Sequence, residues 1–416
     1  MADLSPALAH DALGDRGRRI VTARHTDSFR LARTFVVVIL AAAVDVTNFL
    51  DRGNSLRYAL LLVPFASFFW IRLARPSSVF RRPSRTDKIL FLIVGFGLAG
   101  TYYGIVFNHT TATARPLFLP MLLAFLYLGT IEEPTDREVR IILRAIAGVG
   151  AVYICLAAVA NSGLIEWLLQ FRQFKNASFP FVAIGLAGAF ILKRPFRVIV
   201  LVVLSSLVFL GYPSATAALI VVGTIITFFV TSPRGTRFRP YLVAILVVAI
   251  AGISLANFNS SVALTSSYFE LVGKRNTDAG RLAIWTSGIE EFKQSPVIGS
   301  VFSSDTITEV GPNRTSPYHN DFVLFLVKGG IVGLLLLVAF ILALEQSILR
   351  RYFALVRAGE DARASLLRLL LVGFNGFLVS MAFNPVLQGF SRSATIFSMY
   401  GIAMLVGAPR KASHAH

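Results

Sequence analysis

The sequence has few charged residues and a single cysteine. Only 15% of its 416 residues are Asp, Glu, Lys or Arg, whereas 55% are hydrophobic. A water-soluble chain of this length needs a larger charged surface, so the composition excludes an ordinary soluble domain. Cys155 lies inside an apolar run, which excludes an intramolecular disulfide framework and a cysteine-based metal site.

Acidic residues are also scarce, because 22 Asp and Glu oppose 40 Lys and Arg and leave a net charge of +18. On a soluble protein such an excess would indicate nucleic-acid binding. Many of these cations fall in short connections between apolar blocks, where they set the orientation of membrane helices. The sequence offers no His or Cys cluster and no carboxylate-rich motif of the kind that holds a divalent ion.

Continuous apolar blocks occur along the whole chain, each close to the ~20 residues that a helix needs to cross a membrane. They predict an all-α fold, a polytopic membrane bundle of about twelve transmembrane helices. The predicted spans cover residues 31–50, 56–73, 89–107, 116–131, 141–160, 180–192, 196–210, 216–230, 241–256, 322–344, 366–383 and 394–406.

Lys and Arg collect in alternate connections, for example at Arg81, Arg82, Arg237 and Arg350, and the positive-inside rule makes that side the cytoplasm. The polar, basic amino-terminal segment has no apolar core for cleavage, so we expect a cytoplasmic tail and no signal peptide. The expected organisation is a cytoplasmic tail (1–30), transmembrane helices one to nine (31–256), a large outer loop carrying short helices (257–320), transmembrane helices ten to twelve (321–409) and a second cytoplasmic tail (410–416).

The large outer loop is where we expect a functional site, since long loops without a function are uncommon. Its segment Thr277–Trp285 predicts the start of an amphipathic helix, with an apolar stripe through Leu282, Trp285, Ile289 and Phe292 and an end at Ser295-Pro296. Arg281 would lie in the first turn, where the helix terminus and the guanidinium fork favour an anion such as phosphate. The alternative is an ion pair of Arg281 with Asp278 or Glu290 on a solvated face.

A second motif, Tyr318-His319-Asn320-Asp321, comes directly before the tenth predicted span. The His319 side chain can accept a proton near neutral pH, although a lone interfacial histidine is often structural. Gly329, Gly330 and Gly333 follow in the span, where small residues allow close helix packing. We therefore expect the histidine end of this span to be held rigidly against a neighbouring helix.

These residues resemble the signature of the O-antigen ligase family, in a superfamily with O-antigen polymerases and protein O-oligosaccharyltransferases. The resemblance rests on His319-Asn320, Gly330 and Gly333, and on Gly280-Arg281, Trp285 and Ser295–Gly299 upstream. It implies a multi-pass protein of the bacterial inner membrane with its active site on the periplasmic side. The implied donor is a glycan on undecaprenyl pyrophosphate, and the implied acceptor is a sugar hydroxyl of the lipid A-core in lipopolysaccharide synthesis, without metal or nucleotide.

With these substrates, we expect His319 to accept the proton of the acceptor hydroxyl while that oxygen attacks the anomeric carbon and inverts it. Arg281 would stabilise the charge on the departing pyrophosphate, and Asn320 or Asp321 would orient the imidazole. Trp285, Gly330 and Gly333 are expected to be structural.

A second phosphate contact is expected from another outer cation. Arg172 and Lys175 lie where family members often carry a functional arginine, although an interfacial cation attracted to lipid headgroups is the alternative. Arg314, Arg115 and Arg392 are further candidates, because they oppose the positive-inside trend. Many relatives also carry a Ser-Arg pair where a central span begins, whereas this chain has Ser214-Ala215-Thr216.

Three other functions compete with a ligase. A polymerase would use the same donor with a second lipid-linked glycan as acceptor. A protein O-oligosaccharyltransferase usually carries extra chain beyond its last spans, and here the chain stops soon after span twelve. A transporter or flippase would show internal repeats and ionisable residues at mid-membrane, whereas charges here concentrate at the ends of the predicted spans.

Overall fold

The apolar runs of the sequence form helices wherever the structure describes them. The computed structural model describes residues 28–42, 55–74, 80–107, 115–130, 133–162, 179–192, 194–211, 220–224, 226–227, 231, 277–303, 307–309, 315–318, 320–383 and 386–407. The helices are α1 (28–42), α2 (Ser55–Ala74), α3 (Arg85–Phe107), α4 (Arg115–Phe118), a 3-10 helix (Leu119–Gly129), α5 (Asp136–Ser162), α6 (Phe179–Ala189), α7 (Arg194–Gly211), α8 (Thr277–Gln294), α9 (Asp321–Arg357), α10 (Asp361–Phe383) and α11 (Phe390–Val406).

The helices follow the predicted spans closely, and residues 220–224 and 226–227 are helical within the eighth. The ninth predicted span, 241–256, lies outside the described residues. Among the described residues, four helices are long and apolar enough to cross a membrane, namely Arg85–Phe107, Asp136–Val159, Asp321–Arg357 and Asp361–Ala382. The chain is therefore a helical protein with membrane-spanning helices, while the count of twelve spans and the division into tails, spans and loop stay predictions.

The fourth predicted span has a different helix type from its neighbours. After the single turn of α4, residues Leu119–Gly129 form a 3-10 helix with a proline in its first turn. A 3-10 helix rises ~2.0 Å per residue against ~1.5 Å in an α-helix. The short segment therefore extends further along the bundle than an α-helix of the same number of residues would.

Large apolar side chains are exposed on the outside of the bundle. Trp70, Leu73, Phe107 and Leu342 are each more than 60% exposed. Apolar surface of this kind is expected to face lipid rather than water. Helices α10 and α11 contribute many of the buried side chains, and every residue of α11 from Ser393 to Val406 is buried.

Contacts between distant segments define two ends of the bundle. At one, called the basic end, the Arg81 amide donates to Leu128 O at 2.8 Å, the Tyr352 hydroxyl donates to Thr231 O at 2.6 Å and the Arg363 guanidinium binds Glu133 at 2.5 Å. Burial lowers the pKa of the Arg81 guanidinium. These segments are the ones that the loop alternation places together, while the assignment of this end to the cytoplasm stays a prediction.

The opposite end, called the loop end, contains α8, the start of α9 and the connection from α10 to α11. Two short strands, β1 (Ile307–Glu309) and β2 (Thr315–Pro317), pair antiparallel and lead the chain back from α8 to α9. The predicted outer loop thus contains the expected short helix, together with a hairpin that its sequence pattern did not predict.

Candidate active site

The start of α9 is fixed by Asn320. Its Oδ1 accepts hydrogen bonds from the Phe322 and Val323 amides at 2.9 and 3.1 Å, which caps the helix. Its Nδ2 donates to the Ala382 carbonyl at 2.9 Å and ties α9 to the end of α10. In the structure the Asn320 amide therefore contacts backbone, and its predicted role as a substrate ligand or imidazole partner stays a prediction.

Asp321 anchors the connection between α10 and α11. Its fully buried carboxylate accepts hydrogen bonds from the Val386 and Leu387 amides, both at 2.9 Å, and lies 3.5 Å from the Gln388 amide nitrogen. A carboxylate that accepts two backbone N–H groups holds a turn firmly. Asp321 thus has a structural contact that differs from the imidazole contact expected from the sequence.

Arg392 is brought to the same place. It lies within electrostatic range of Asp321, and its Cδ packs 3.0 Å from the position that a Cβ on Gly389 would take. Arg392 is half-buried in the first turn of α11. Of the predicted substrate cations, it is the one whose side chain lies among the described residues, and it is adjacent to the His319-Asn320-Asp321 motif.

Helix α9 is broken at Gly330, whose φ of 64° and ψ of −165° are not helical. The break leaves backbone N–H and C=O groups of α9 without partners inside the helix, and an earlier segment of the chain bonds them. Residues 295–303, called the docking turn, accept hydrogen bonds from Ile331 N at Pro296 O (2.9 Å) and from Val332 N at Val297 O (3.1 Å). In return, Phe302 N donates to Lys328 O at 3.0 Å. The docking turn thus satisfies groups that lipid would leave without partners.

The close approach depends on two motif glycines. A Cβ on Gly330 would lie 2.3 Å from Val297 O, and a Cβ on Gly299 would lie 2.5 Å from Val327 O. Both glycines have positive φ values, a conformation that side chains with a Cβ rarely adopt. The backbones around Gly299 and Gly330, two glycines of the family motifs, are therefore in direct contact.

The docking turn is also inserted against α3. A Cβ on Gly100 would meet Val301 O at 1.3 Å, and one on Gly104 would meet Ser303 O at 2.2 Å. The buried Phe302 ring packs edge-on against Phe118 and Phe325, with centroids 5.1 and 5.2 Å away. Val301 and Phe302 both have positive φ, a strained conformation that this packing stabilises.

These contacts correct the predicted role of the glycines in the tenth span. Gly330 forms a helix break and contacts the docking turn, rather than packing α9 against a neighbouring helix. A Cβ on Gly329 would lie 3.1 Å from the Phe302 ring, and one on Gly333 would lie 3.0 Å from Phe325 O on the other side of the break in α9. The histidine end of the span is held against neighbouring elements as expected, and these are the docking turn, α8 and the end of α10.

Three further residues link α8 to α9. The Tyr318 hydroxyl donates to Glu291 Oε2 at 2.5 Å, and the Lys328 ammonium pairs with Glu291 Oε1. The Lys328 ammonium also lies 5.7 Å from the centre of the Tyr318 ring. Tyr318 is fully buried and Lys328 is 3% exposed, whereas the Glu291 side chain is 31% exposed. The residue before His319 is therefore bonded to the helix that carries Arg281.

Helix α8 has the predicted bounds, and among the described side chains of its predicted apolar stripe Ile289 departs from the prediction. Ile289, assigned to the apolar stripe, is 48% exposed, whereas Ile284 and Gly288 are buried and Phe292 packs on the core. Gly288 and Glu291 of the same helix contact Tyr318. Glu290, the alternative partner of Arg281, pairs with Lys293 at 2.7 Å on an exposed surface. Arg281 is the fifth residue of α8, past the first turn, so the helix-terminus argument for an anion there weakens.

Most of the other predicted site residues cannot be placed. His319, Arg314, Arg172, Lys175 and the segment Ser214-Ala215-Thr216 lie outside the described residues. Arg281 and Trp285 are described only as positions of α8, and Arg115 only as the first residue of α4. Within the described parts of the chain, no group of three His, Cys, Asp or Glu side chains is arranged to hold a metal ion.

The sequence analysis missed Glu291, Lys328 and Arg363. Lys328 lies inside the tenth predicted span, which contradicts the expectation that charges concentrate at span ends. An ionisable residue within an apolar block usually has a function and a partner, and this signal was available in the sequence. The partner, 37 positions earlier in the chain, was not.

The segment around Arg281 and the segment around His319 lie in one region that matches a known family. Residues 198–338 match a family model described as O-antigen ligase. Over this region the chain is similar to the O-antigen ligase family. The matched region includes α8, the docking turn, the hairpin and the broken part of α9, so the resemblance seen in the motifs is confirmed. No curated protein matches the chain.

Proposed function

We propose that this protein is an O-antigen ligase that transfers a glycan from undecaprenyl pyrophosphate to a sugar hydroxyl of the lipid A-core. The observation that carries the proposal is the family match over residues 198–338, which includes both Arg281 and His319. The match and the apolar helices together support a membrane glycosyltransferase of the O-antigen ligase and polymerase superfamily. The donor, the acceptor and the mechanism are the proposed part.

The proposed reaction is a single displacement at the anomeric carbon of the donor glycan. The acceptor oxygen forms a bond to this carbon, the carbon–oxygen bond to the pyrophosphate breaks, and the configuration inverts. His319 takes the proton of the acceptor hydroxyl, and undecaprenyl pyrophosphate leaves with the bonding electron pair. Arg281 stabilises the charge on the leaving group, with Arg392, Arg314, Arg172, Lys175 and Arg115 as candidates for a second phosphate contact.

The structure of the loop end supports this assignment. Asn320 and Asp321 fix the helix that follows His319, and Tyr318, directly before His319, is bonded to Glu291 of α8. Arg392 places a positive charge beside the same motif. The apolar exterior suits substrates that carry prenyl and acyl chains in the membrane. We propose that the loop end faces the periplasm of the bacterial inner membrane and that both termini lie in the cytoplasm.

The test is a transfer assay with purified protein in liposomes that contain lipid-linked O-antigen and lipid A-core. It is run without nucleotide, with and without a metal chelator. We expect transfer by the unsubstituted protein in both cases, and a loss of at least about 100-fold in His319→Ala and Arg281→Ala, in line with removal of a catalytic base or a charge stabiliser. Lys293→Ala is the matched control, since this cation is exposed on the same helix as Arg281.

The possible outcomes separate the functions. Elongation of the lipid-linked glycan without transfer to lipid A-core would identify a polymerase. Movement of lipid between leaflets with all glycosidic bonds intact would identify a transporter. Full transfer by His319→Ala would remove this residue as the base, and loss of transfer on chelation would contradict the metal-independent mechanism.

A further inference from the structure

We propose that Glu291, Lys328 and Tyr318 form a positioning cluster that sets the distance between the helix carrying Arg281 and the segment carrying His319. This inference rests on the proposed function, in which Arg281 and His319 act on the same substrate. The three residues are positioning residues, because they act through the placement of other groups.

The buried lysine is the first argument. Lys328 lies in an apolar helix long enough to span a membrane, and its side chain is 3% exposed. A charge in this environment is costly unless it is paired, and such residues are retained where they serve a function. Its partner Glu291 comes from α8, outside that helix. The pair therefore joins two elements that no short connection holds together.

The second argument is the place at which the cluster is attached. The Tyr318 hydroxyl bonds the same carboxylate as Lys328, and Tyr318 is the residue directly before His319. A Cβ on Gly288 would lie 2.9 Å from the Tyr318 ring and 3.2 Å from Val327 Cγ2, so α8 lies directly against this segment. Glu291 therefore contacts residues on both sides of the His319-Asn320-Asp321 motif.

The third argument is the rigidity of α8. Arg281 and Glu291 are ten positions apart on one helix, which corresponds to about 15 Å along its axis. Just beyond Glu291, the docking turn is bonded to the break in α9. With its carboxyl end attached in two ways, α8 places its earlier turns at a defined position relative to α9. Without the cluster, α8 would be attached to α9 through fewer contacts, the docking turn among them, and could shift relative to α9.

The kinetic test uses Tyr318→Phe and Lys328→Met in the liposome assay. Both keep the size of the side chain and remove its bond to Glu291. A displacement of about 1 Å at a reacting group lowers the rate roughly 100-fold, so we expect kcat to fall between about tenfold and 100-fold, with KM for the lipid-linked glycan unchanged. Lys328→Arg should recover most of the rate because it keeps the charge. Lys293→Met, which breaks the exposed pair on the same helix, should keep the original kcat.

A double-mutant cycle separates positioning from general stability. If Tyr318 acts through His319, Tyr318→Phe should cause no further loss of the residual transfer in a His319→Ala background. An equal loss in both backgrounds would overturn the proposal, as would a rise in KM with kcat unchanged.

A distance measurement keeps the inference testable if the proposed function fails. Cys155→Ser removes the free cysteine, and spin labels at Lys293→Cys and Leu335→Cys then report the distance between α8 and α9 from two exposed positions. The distance distribution should be narrow with Lys328 present and clearly broader in Lys328→Met. An unchanged distribution would overturn the cluster, whereas absent transfer by the unsubstituted protein would overturn only the function.

Discussion

Replacing Gly330 with alanine should release the docking turn from α9. Gly330 has a φ of 64° and a ψ of −165°, a region that is almost confined to glycine and costs another residue about 1–3 kcal/mol. The new Cβ would also lie 2.3 Å from Val297 O and 2.5 Å from Ile298 N, which are backbone atoms with little freedom to move. An alanine instead favours a continuous α9, in which Ile331 and Val332 donate their hydrogen bonds within the helix.

The magnitude follows from these terms. Strain and steric conflict together disfavour the docked arrangement by about 3 kcal/mol, which lowers the ratio of docked to released turn more than about 100-fold. Hydrogen exchange followed by mass spectrometry measures this ratio directly. Residues 295–303 should exchange much faster in Gly330→Ala, and transfer should fall with the same substitution.

Gly95→Ala is the control for this experiment. Gly95 lies in α3, and a Cβ there would meet no atom within 4 Å. Alanine in this helix should leave exchange of the docking turn unchanged and stabilise α3 by up to about 1 kcal/mol. Unchanged protection of residues 295–303 in Gly330→Ala would show that the break in α9 does not depend on glycine and would refute the reasoning.

Two further predictions concern the two ends of the bundle. Arg363→Ala removes a guanidinium that is 1% exposed and binds Glu133 at 2.5 Å and Pro134 O at 2.9 Å. We expect the free energy of unfolding to fall by about 3–5 kcal/mol, measured as a lower midpoint of unfolding in detergent. The control Arg357→Ala replaces an exposed arginine and should change the midpoint little. Asp321→Asn keeps the shape of the side chain but weakens the bonds to Val386 and Leu387, so residues 386–388 should exchange faster, by a factor corresponding to about 1–2 kcal/mol. Equal unfolding midpoints in Arg363→Ala and Arg357→Ala would contradict the stabilising role of the Arg363 contacts. Unchanged exchange at residues 386–388 in Asp321→Asn would contradict the role of the Asp321 contacts.

The sequence was sufficient to predict elements whose pattern is local. The bounds of α2 and α8 and the start of α9 agree with the predictions to within a few residues, because apolar runs, capping residues and Ser-Pro boundaries act over one or two turns. The family resemblance was also visible in short motifs. For Arg392, an unexpected charge on the predicted outer side was enough to nominate a residue that lies beside the motif.

The rest depends on contacts between distant segments. Gly330 and Gly299 are 31 positions apart, and each has a positive φ where the backbone of the other segment lies against it. In a regular helix Gly330 would allow helix packing, which is what the sequence predicted for it. Similarly, Glu291 of α8 contacts Tyr318 and Lys328, which lie 27 and 37 positions further along the chain. The hydrophobic periodicity within α8 does not indicate these contacts, because both partners lie outside the helix.

The burial of α11 has a consequence for how the protein is made. This helix packs against the 3-10 helix, α10 and α2, and Tyr400 donates to Asp87 of α3 at 2.7 Å. All of these partners precede α11 in the chain and leave the ribosome before it. They enter the membrane with the site of α11 still open, so packing around that site waits until α11 itself has been synthesised. Substitutions in α11 should therefore act first on biogenesis, by prolonging an unfinished intermediate that cellular quality control can degrade.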